Sequence, residues 1–202
     1  MSSLRAILNV ASTTALGLWL GTVVMTGATA AIIFPTVRDL APTLPSHATY
    51  TGEHWLIVAG RVAARVFLIS DIVQFFCACV ALGSLAGMVV PRMIRSRLGL
   101  NEWVRVLTLG VACVLLAYQL LIMSPAMTTE LQMYWAAASQ GKNDIAMIHQ
   151  TAFNAMHPQA SRLIGALAFS VLAALIVSAT IGTSGSRSFR GDEGDRVIAT
   201  KG

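Results

Sequence analysis

Residues 66–90 read VFLISDIVQFFCACVALGSLAGMVV, and this stretch decides the fold. As an α-helix it would extend about 37 Å, at roughly 1.5 Å per residue. The hydrocarbon core of a bilayer is about 30 Å thick, and the stretch carries a single charged side chain, Asp71. It therefore predicts a helix that crosses a membrane.

The composition extends this prediction to the whole chain. Of its 202 residues, 55% are hydrophobic and 11% are charged, whereas soluble domains carry about 25% charged residues. The net charge of +5 is not accompanied by a basic patch interleaved with aromatic residues, so we expect no binding of nucleic acid. The expected partner is the lipid bilayer, with other membrane subunits or a second copy of the chain as further possibilities.

Three more apolar segments have the same character, and together they predict an all-α fold. We expect an integral membrane four-helix bundle with a helical extension on the extracytoplasmic side. The predicted spans are residues 6–34, 55–90, 102–124 and 158–181. They form one transmembrane domain, residues 1–181, and the remaining residues 182–202, rich in glycine, serine and charge, are expected to be a disordered cytoplasmic tail.

The first span has a competing interpretation. Arg5 precedes it and Ala28-Thr29-Ala30 is similar to a cleavage site, so a cleaved signal peptide is the alternative to a retained helix. The long apolar run favours the retained helix. Three prolines follow, and we expect residues 35–54 to form the first loop. Gly141 is expected to mark the turn before the last segment.

The distribution of basic residues predicts the topology. Nine of them fall on one side of the predicted spans and five on the other, which places both termini in the cytoplasm of a bacterial inner membrane. The nine are Arg5, Arg92, Arg95, Arg97, Arg105, Arg187, Arg190, Arg196 and Lys201. All four histidines then lie on the outer side.

This outer side holds the candidate metal ligands. Imidazole and carboxylate groups suit zinc, iron or copper, and the candidates are His54, Glu130, His149 and His157. The competing interpretation is that these groups cap helices and hydrogen-bond in a wet layer, and we favour it. We predict no cofactor; a metal ion or a haem held between such histidines is the alternative.

A second candidate site lies within the second span, where Asp71 is followed by Gln74 one turn later. A charge inside a membrane is costly and points to function. Neither Arg61 nor Arg65 shares a helix face with Asp71, so another helix must supply a partner, or the carboxyl is protonated. A structural clamp and a path for a proton or solute are both consistent with this pattern.

Small residues are expected to permit close helix packing. They are Gly17, Gly21, Gly83, Gly87 and Gly165, with Gly83 and Gly87 in a GxxxG spacing. The three cysteines, all within apolar stretches, are expected to be small buried residues and not a disulfide.

Three short motifs resemble a family of small four-helix membrane proteins, the domain of unknown function forty-one forty-nine. They are Leu18-Trp19-Leu20-Gly21 with a following Phe34-Pro35, then Ser124-Pro125-Ala126-Met127-Thr128-Thr129-Glu130, and Phe153-Asn154-Ala155-Met156-His157. The resemblance implies a multi-pass membrane protein and no particular reaction.

No catalytic motif such as GxSxG, HExxH or a Walker loop occurs in the sequence. We therefore expect a non-enzymatic multi-pass membrane protein that handles a small solute or stabilises a membrane complex. The alternative is a metal- or haem-binding redox protein that uses the outer histidines.

Overall fold

The computed structural model describes the backbone of residues 2–95 and 98–199, and the side chains over 3–91, at 93 and over 98–180. Within these residues the chain is helical and has no strand. The main helices are α1 (Ser2–Leu40), α2 (His54–Arg95), α3 (Leu100–Tyr118), α4 (Ser124–Ser139) and α5 (Asn143–Ala199). A π-helical turn, Gln119–Met123, joins α3 to α4, and a short 3₁₀ turn covers Pro45–His47.

Four stretches of these helices are long and apolar enough to cross a membrane. They are Ser3–Leu40, His54–Pro91, Leu100–Ser139 and Asn143–Thr180. The third comprises α3, the π-turn and α4 in one continuous piece, which we call the α3–α4 rod. The prediction of an all-α protein with four spanning helices is confirmed. A helix of 38 residues is about 57 Å long, so each one exceeds the thickness of the hydrocarbon core.

The helices pack in the order α2, α1, α5 and rod. Helix α1 packs against α2 and α5, and α5 packs against both parts of the rod, whereas α2 makes far fewer contacts with the rod. A large apolar core fills the part of the bundle around Trp19, Leu85, Leu109 and Leu167. A smaller core around Tyr50, Ile57, Tyr134 and Ala146 fills the opposite end.

The first loop is shorter than the sequence predicts. Helix α1 continues through Pro35 and ends at Leu40, where Ala41 has a positive φ of 43°. An interior proline removes one backbone N–H and crowds the preceding turn, yet the helix continues on both sides of it. The expectation that residues 35–40 belong to the loop is therefore wrong. The predicted turn at Gly141 is confirmed, since its φ is +67°.

Close packing through glycine occurs at one of the five predicted positions. A Cβ on Gly87 would lie 3.1 Å from Leu8 Cδ1 of α1, whereas one on Gly17, Gly21, Gly83 or Gly165 would meet nothing within 4 Å. The expectation is wrong for these four glycines because they do not face a neighbouring helix. The cysteines are all free, as expected, but Cys79 is exposed and only Cys77 is buried.

The backbone of α5 extends to Ala199 and so includes most of the predicted tail, residues 182–202. The side chains of the tail are not described, and its disorder stays a prediction.

Replacement of Gly87 by leucine tests the α1–α2 contact. The larger side chain would collide with Leu8, and overpacking of a tight interface typically costs about 1–3 kcal/mol. We expect the midpoint of thermal unfolding in detergent to fall for Gly87→Leu. Gly83→Leu is the matched control, one turn away on an open face, and its midpoint should stay near that of the wild type. Equal midpoints for the two variants would contradict a close approach of α1 to α2 at Gly87.

Candidate functional site

Asp71 of α2 faces the π-turn of the rod. Gln119 Nε2 donates to Asp71 Oδ1 at 2.9 Å, and Ser124 Oγ donates to Asp71 Oδ2 at 3.1 Å. The second helix that the sequence requires as a partner for Asp71 is therefore the rod. No lysine, arginine or histidine among the described residues lies within 4 Å of this carboxylate, so neither Arg61 nor Arg65 neutralises it.

The site has more acceptors than donors. Gln119 is 8% exposed, and its Oε1 is buried without a hydrogen-bond partner. The Nε2 atom of the same Gln119 amide contacts Asp71. The unpaired carbonyl oxygen is therefore close to the carboxylate. A buried acceptor left unpaired costs about 1–3 kcal/mol. A cation or a proton donor would satisfy the Oε1 atom.

The π-turn explains why Gln119 and Ser124 act together. Residues five apart on an α-helix differ by about 140° and face different directions. Here the Ser124 N–H donates to the Gln119 carbonyl in the i to i−5 pattern of a π-helix, which brings both side chains to Asp71. An α-helical spacing does not place Gln119 and Ser124 on the same face, so the sequence does not predict this pair. Pro125 is the one sequence feature here that indicates an irregular helix.

Gln74, the other predicted polar residue of the span, belongs to a separate network. Its Oε1 accepts from Trp19 Nε1 at 3.2 Å, and its Nε2 donates to Ser70 Oγ at 3.3 Å. Ser70 in turn hydrogen-bonds Thr26 of α1. Trp19, Thr26, Ser70 and Gln74 are all buried. These contacts satisfy both polar ends of the Gln74 amide, so Gln74 joins α1 to α2 and leaves Asp71 as the functional candidate.

The depth of Asp71 follows from the charges along α2. No charged residue separates Asp71 from Arg92, and the interval between them is about 30 Å long. A bilayer core of about 30 Å fits this interval. Asp71 then lies at the edge of the hydrocarbon layer and not in its middle, at the end of the core nearer the α1–α2 loop.

The predicted metal ligands do not come together. Glu130 of α4 and His149 of α5 form a pair, with His149 Nδ1 at 2.7 Å from Glu130 Oε2. His54 Nδ1 accepts from the Leu44 N–H at 3.0 Å, and His157 packs against Phe153. Within the described residues no group of three or more His, Cys, Asp or Glu is arranged to hold a metal ion.

Aromatic contacts close the end of the bundle near these histidines. We call the residues that form them, together with His47, the cap: they are His47, Tyr50, Arg61, Tyr134 and Trp135. The hydroxyls of Tyr50 and Tyr134 hydrogen-bond at 3.0 Å, and the Arg61 guanidinium lies 5.7 Å from the ring centroid of Trp135. His47 is 2% exposed, and its Nε2 has no hydrogen-bond partner. Sequence reasoning misses this cap because its members are far apart along the chain and follow no common spacing.

No family model, characterised protein or solved structure matches this chain.

Acidification tests the cap at His47. Burial lowers the pKa of His47 from its ordinary value of 6.5, and the nearby Arg61 and His54 act in the same direction. As the pH falls through 6.5, His47 of the unfolded chain therefore binds more protons than His47 of the folded chain, and the contribution of this residue to stability falls. We expect the thermal unfolding midpoint of the full chain in detergent to drop between about pH 7.5 and about pH 5.

His47→Gln is the informative variant, since glutamine keeps a polar side chain but does not titrate in this range. Its midpoint should depend less on pH than that of the wild type. An unchanged acid dependence in His47→Gln would assign the effect to other groups.

Proposed function

We propose that this chain is a non-enzymatic integral membrane protein that handles a small cation, a proton included, at Asp71. The observation that supports this most directly is the unneutralised carboxylate beside the unpaired Gln119 Oε1. Hard cations prefer oxygen ligands, and this site offers carboxylate, amide and hydroxyl oxygens from Asp71, Gln119 and Ser124.

The location of the site fits this role. Asp71 is half-buried between α2 and the rod, and these two helices make few contacts with each other. A solute that exchanges with the hydrogen bonds of Gln119 and Ser124 would not have to disrupt the main apolar core around Trp19 and Leu167. The π-turn adds support, because such turns inside α-helices occur frequently at functional sites.

The proposed setting is the inner membrane of a bacterium with both termini in the cytoplasm. The nine-to-five distribution of basic residues supports this orientation through the positive-inside rule. Asp71 would then lie near the outer leaflet, and the helical ends that carry the four histidines would project on the extracytoplasmic side. The resemblance to a family of small four-helix membrane proteins agrees with this setting and remains a proposal.

A second candidate function rests on the pair of Glu130 and His149, whose atoms lie 2.7 Å apart. A carboxylate and an imidazole from two helices would supply two ligands of a metal ion, as in a membrane redox protein. Elemental mass spectrometry of the purified protein tests it: iron, copper or zinc near one per chain, lost in His149→Ala, would support this function over the first.

Asp71→Asn tests the proposed function. Asparagine has nearly the same shape but no charge, so the fold should persist while the cation loses its main ligand. In proteoliposomes we expect the wild type to dissipate an imposed proton, sodium or potassium gradient, followed with trapped dyes selective for each ion. We expect Asp71→Asn to slow that flux by about tenfold or more, because loss of a charged interaction worth about 1.5–3 kcal/mol corresponds to at least about a tenfold effect.

Asp39→Asn is the matched control, because Asp39 is exposed at the end of α1 and pairs only with Arg38 among the described residues. Its flux should equal that of the wild type. Equal flux in Asp71→Asn and the wild type, or no flux above empty vesicles for any of the three ions, would overturn the proposal. Loss of a co-purifying protein in Asp71→Asn without a change of flux would instead indicate a role in assembly.

A further inference from the structure

Arg105 is one of the nine basic residues counted on the predicted cytoplasmic side, and the structure places it in the interior of the bundle. It is 7% exposed and lies on the buried face of α3, in line with Leu109, Ala112 and Leu116. Its side chain therefore enters the space between the helices and does not extend along the membrane surface.

The guanidinium of Arg105 has few partners there. Its Nη1 donates to Met88 Sδ at 3.9 Å, and its Nη2 is buried with no hydrogen bond. A guanidinium carries five N–H donors and stays protonated in proteins, and thioether sulfur is a weak acceptor. The structure thus leaves most of the hydrogen-bonding capacity of a buried cation unused.

Acidic groups near Arg105 do not neutralise it. No described carboxylate lies within 4 Å of it, and Glu102, the acidic residue closest to it in sequence, accepts from the Gly99 N–H at 3.1 Å to cap α3. The preceding residues 92–101 read RMIRSRLGLN and contain no acid. The sequence around this end is therefore strongly basic, and the Arg105 guanidinium has no carboxylate within 4 Å among the described residues.

The depth of Arg105 suggests what completes it. Its contact, Met88, lies four positions before Arg92, about 6 Å along α2. Arg92 marks the end of the uncharged interval of that helix, so the Arg105 guanidinium lies just inside the layer where lipid phosphates meet the hydrocarbon. Arginine matches phosphate through parallel N–H donors in a planar fork.

We propose that Arg105 binds a phosphate oxyanion at the α2–α3 end of the bundle, either the headgroup phosphate of an anionic lipid or a free phosphate. The proposal is independent of the cation site, because Met88 and Asp71 are about 25 Å apart along α2. The anion would accept hydrogen bonds from the Arg105 fork, including its unpaired Nη2.

The test uses the full chain, stripped of lipid in a maltoside detergent, with thermal unfolding as the readout. The probes are phosphatidylglycerol, a galactolipid with the same acyl chains but no phosphate, and inorganic phosphate. We expect phosphatidylglycerol to raise the unfolding midpoint and the galactolipid to leave it unchanged. A matching rise with inorganic phosphate identifies a free anion as sufficient, whereas a rise with the lipid alone assigns the site to the headgroup.

Arg105→Met should abolish the rise, since methionine retains length without donors. Arg105→Lys, which keeps the charge but not the fork, should need about tenfold more phosphatidylglycerol for a half-maximal rise. The matched control is Arg65→Met, because Arg65 is exposed near the opposite end of the bundle and should respond like the wild type. A full rise in Arg105→Met, or no rise in the wild type with either phosphate probe, would overturn the proposal.

The acidic residues of the tail are a competing source of an anion. A variant with Asp192→Asn, Glu193→Gln and Asp195→Asn separates the two. Unchanged stability and an unchanged response to phosphatidylglycerol in this variant support the proposal. A lower lipid-free midpoint in this variant, together with no response to phosphatidylglycerol in the wild type, would assign the anion to the tail and overturn the proposal.

Discussion

The hydrogen bonds from Gln119 and Ser124 to Asp71 join α2 to the rod, two helices that otherwise make few contacts with each other. Helices α1 and α2 pack extensively on each other, as do α5 and the rod, but α2 and the rod meet over few residues. In a bilayer, lipid chains compete equally for apolar helix faces, so polar contacts and small residues decide which helices associate. Asp71 supplies such a contact where apolar side chains alone would not.

Asp71 and Arg105 both face inward, and neither has a partner of opposite sign within the described part of the chain. Asp71 has hydrogen-bond donors but no cation, and Arg105 has a sulfur atom but no anion. Because Met88 and Asp71 lie about 25 Å apart along α2, the two charges cannot neutralise one another. Burial of an unpaired charge is expensive, and each lies near an edge of the uncharged interval of α2, where ions and headgroups are within reach. The lack of a partner of opposite charge therefore indicates an external ligand at each residue, a cation at Asp71 and an anion at Arg105.

Hydropathy and charge are sufficient to predict the architecture. The four apolar segments, including residues 66–90, each fall within a long helix, because a chain in hydrocarbon must satisfy its own backbone groups and a helix does so locally. Local chemistry is less informative: the proline signal ends the first helix too early, and four of the five glycines expected at helix contacts face no neighbouring helix. The inward position of Arg105 is likewise not predictable from the sequence, since its neighbours in the sequence are basic and its helix face depends on tertiary packing.

The sequence predicts Asp71 as a site residue but does not predict its partners Gln119 and Ser124. Asp71 stands out because a carboxylate is rare in an apolar segment, and the need for a partner on another helix follows from the poor alignment of Arg61 and Arg65. The identity of that partner requires the π-turn, which is not encoded in an α-helical periodicity. Once the turn is in place, its two side chains hold the carboxylate through bonds that a water molecule or an ion can replace individually. Charged hydrogen bonds of this kind contribute about 1.5–3 kcal/mol each, whereas removal of one large core side chain costs about 2–5 kcal/mol. The two bonds to Asp71 together contribute about as much as one large core side chain. Because water or an ion can replace each bond in turn, α2 can separate from the rod at Asp71 and expose the carboxylate without disruption of the apolar core.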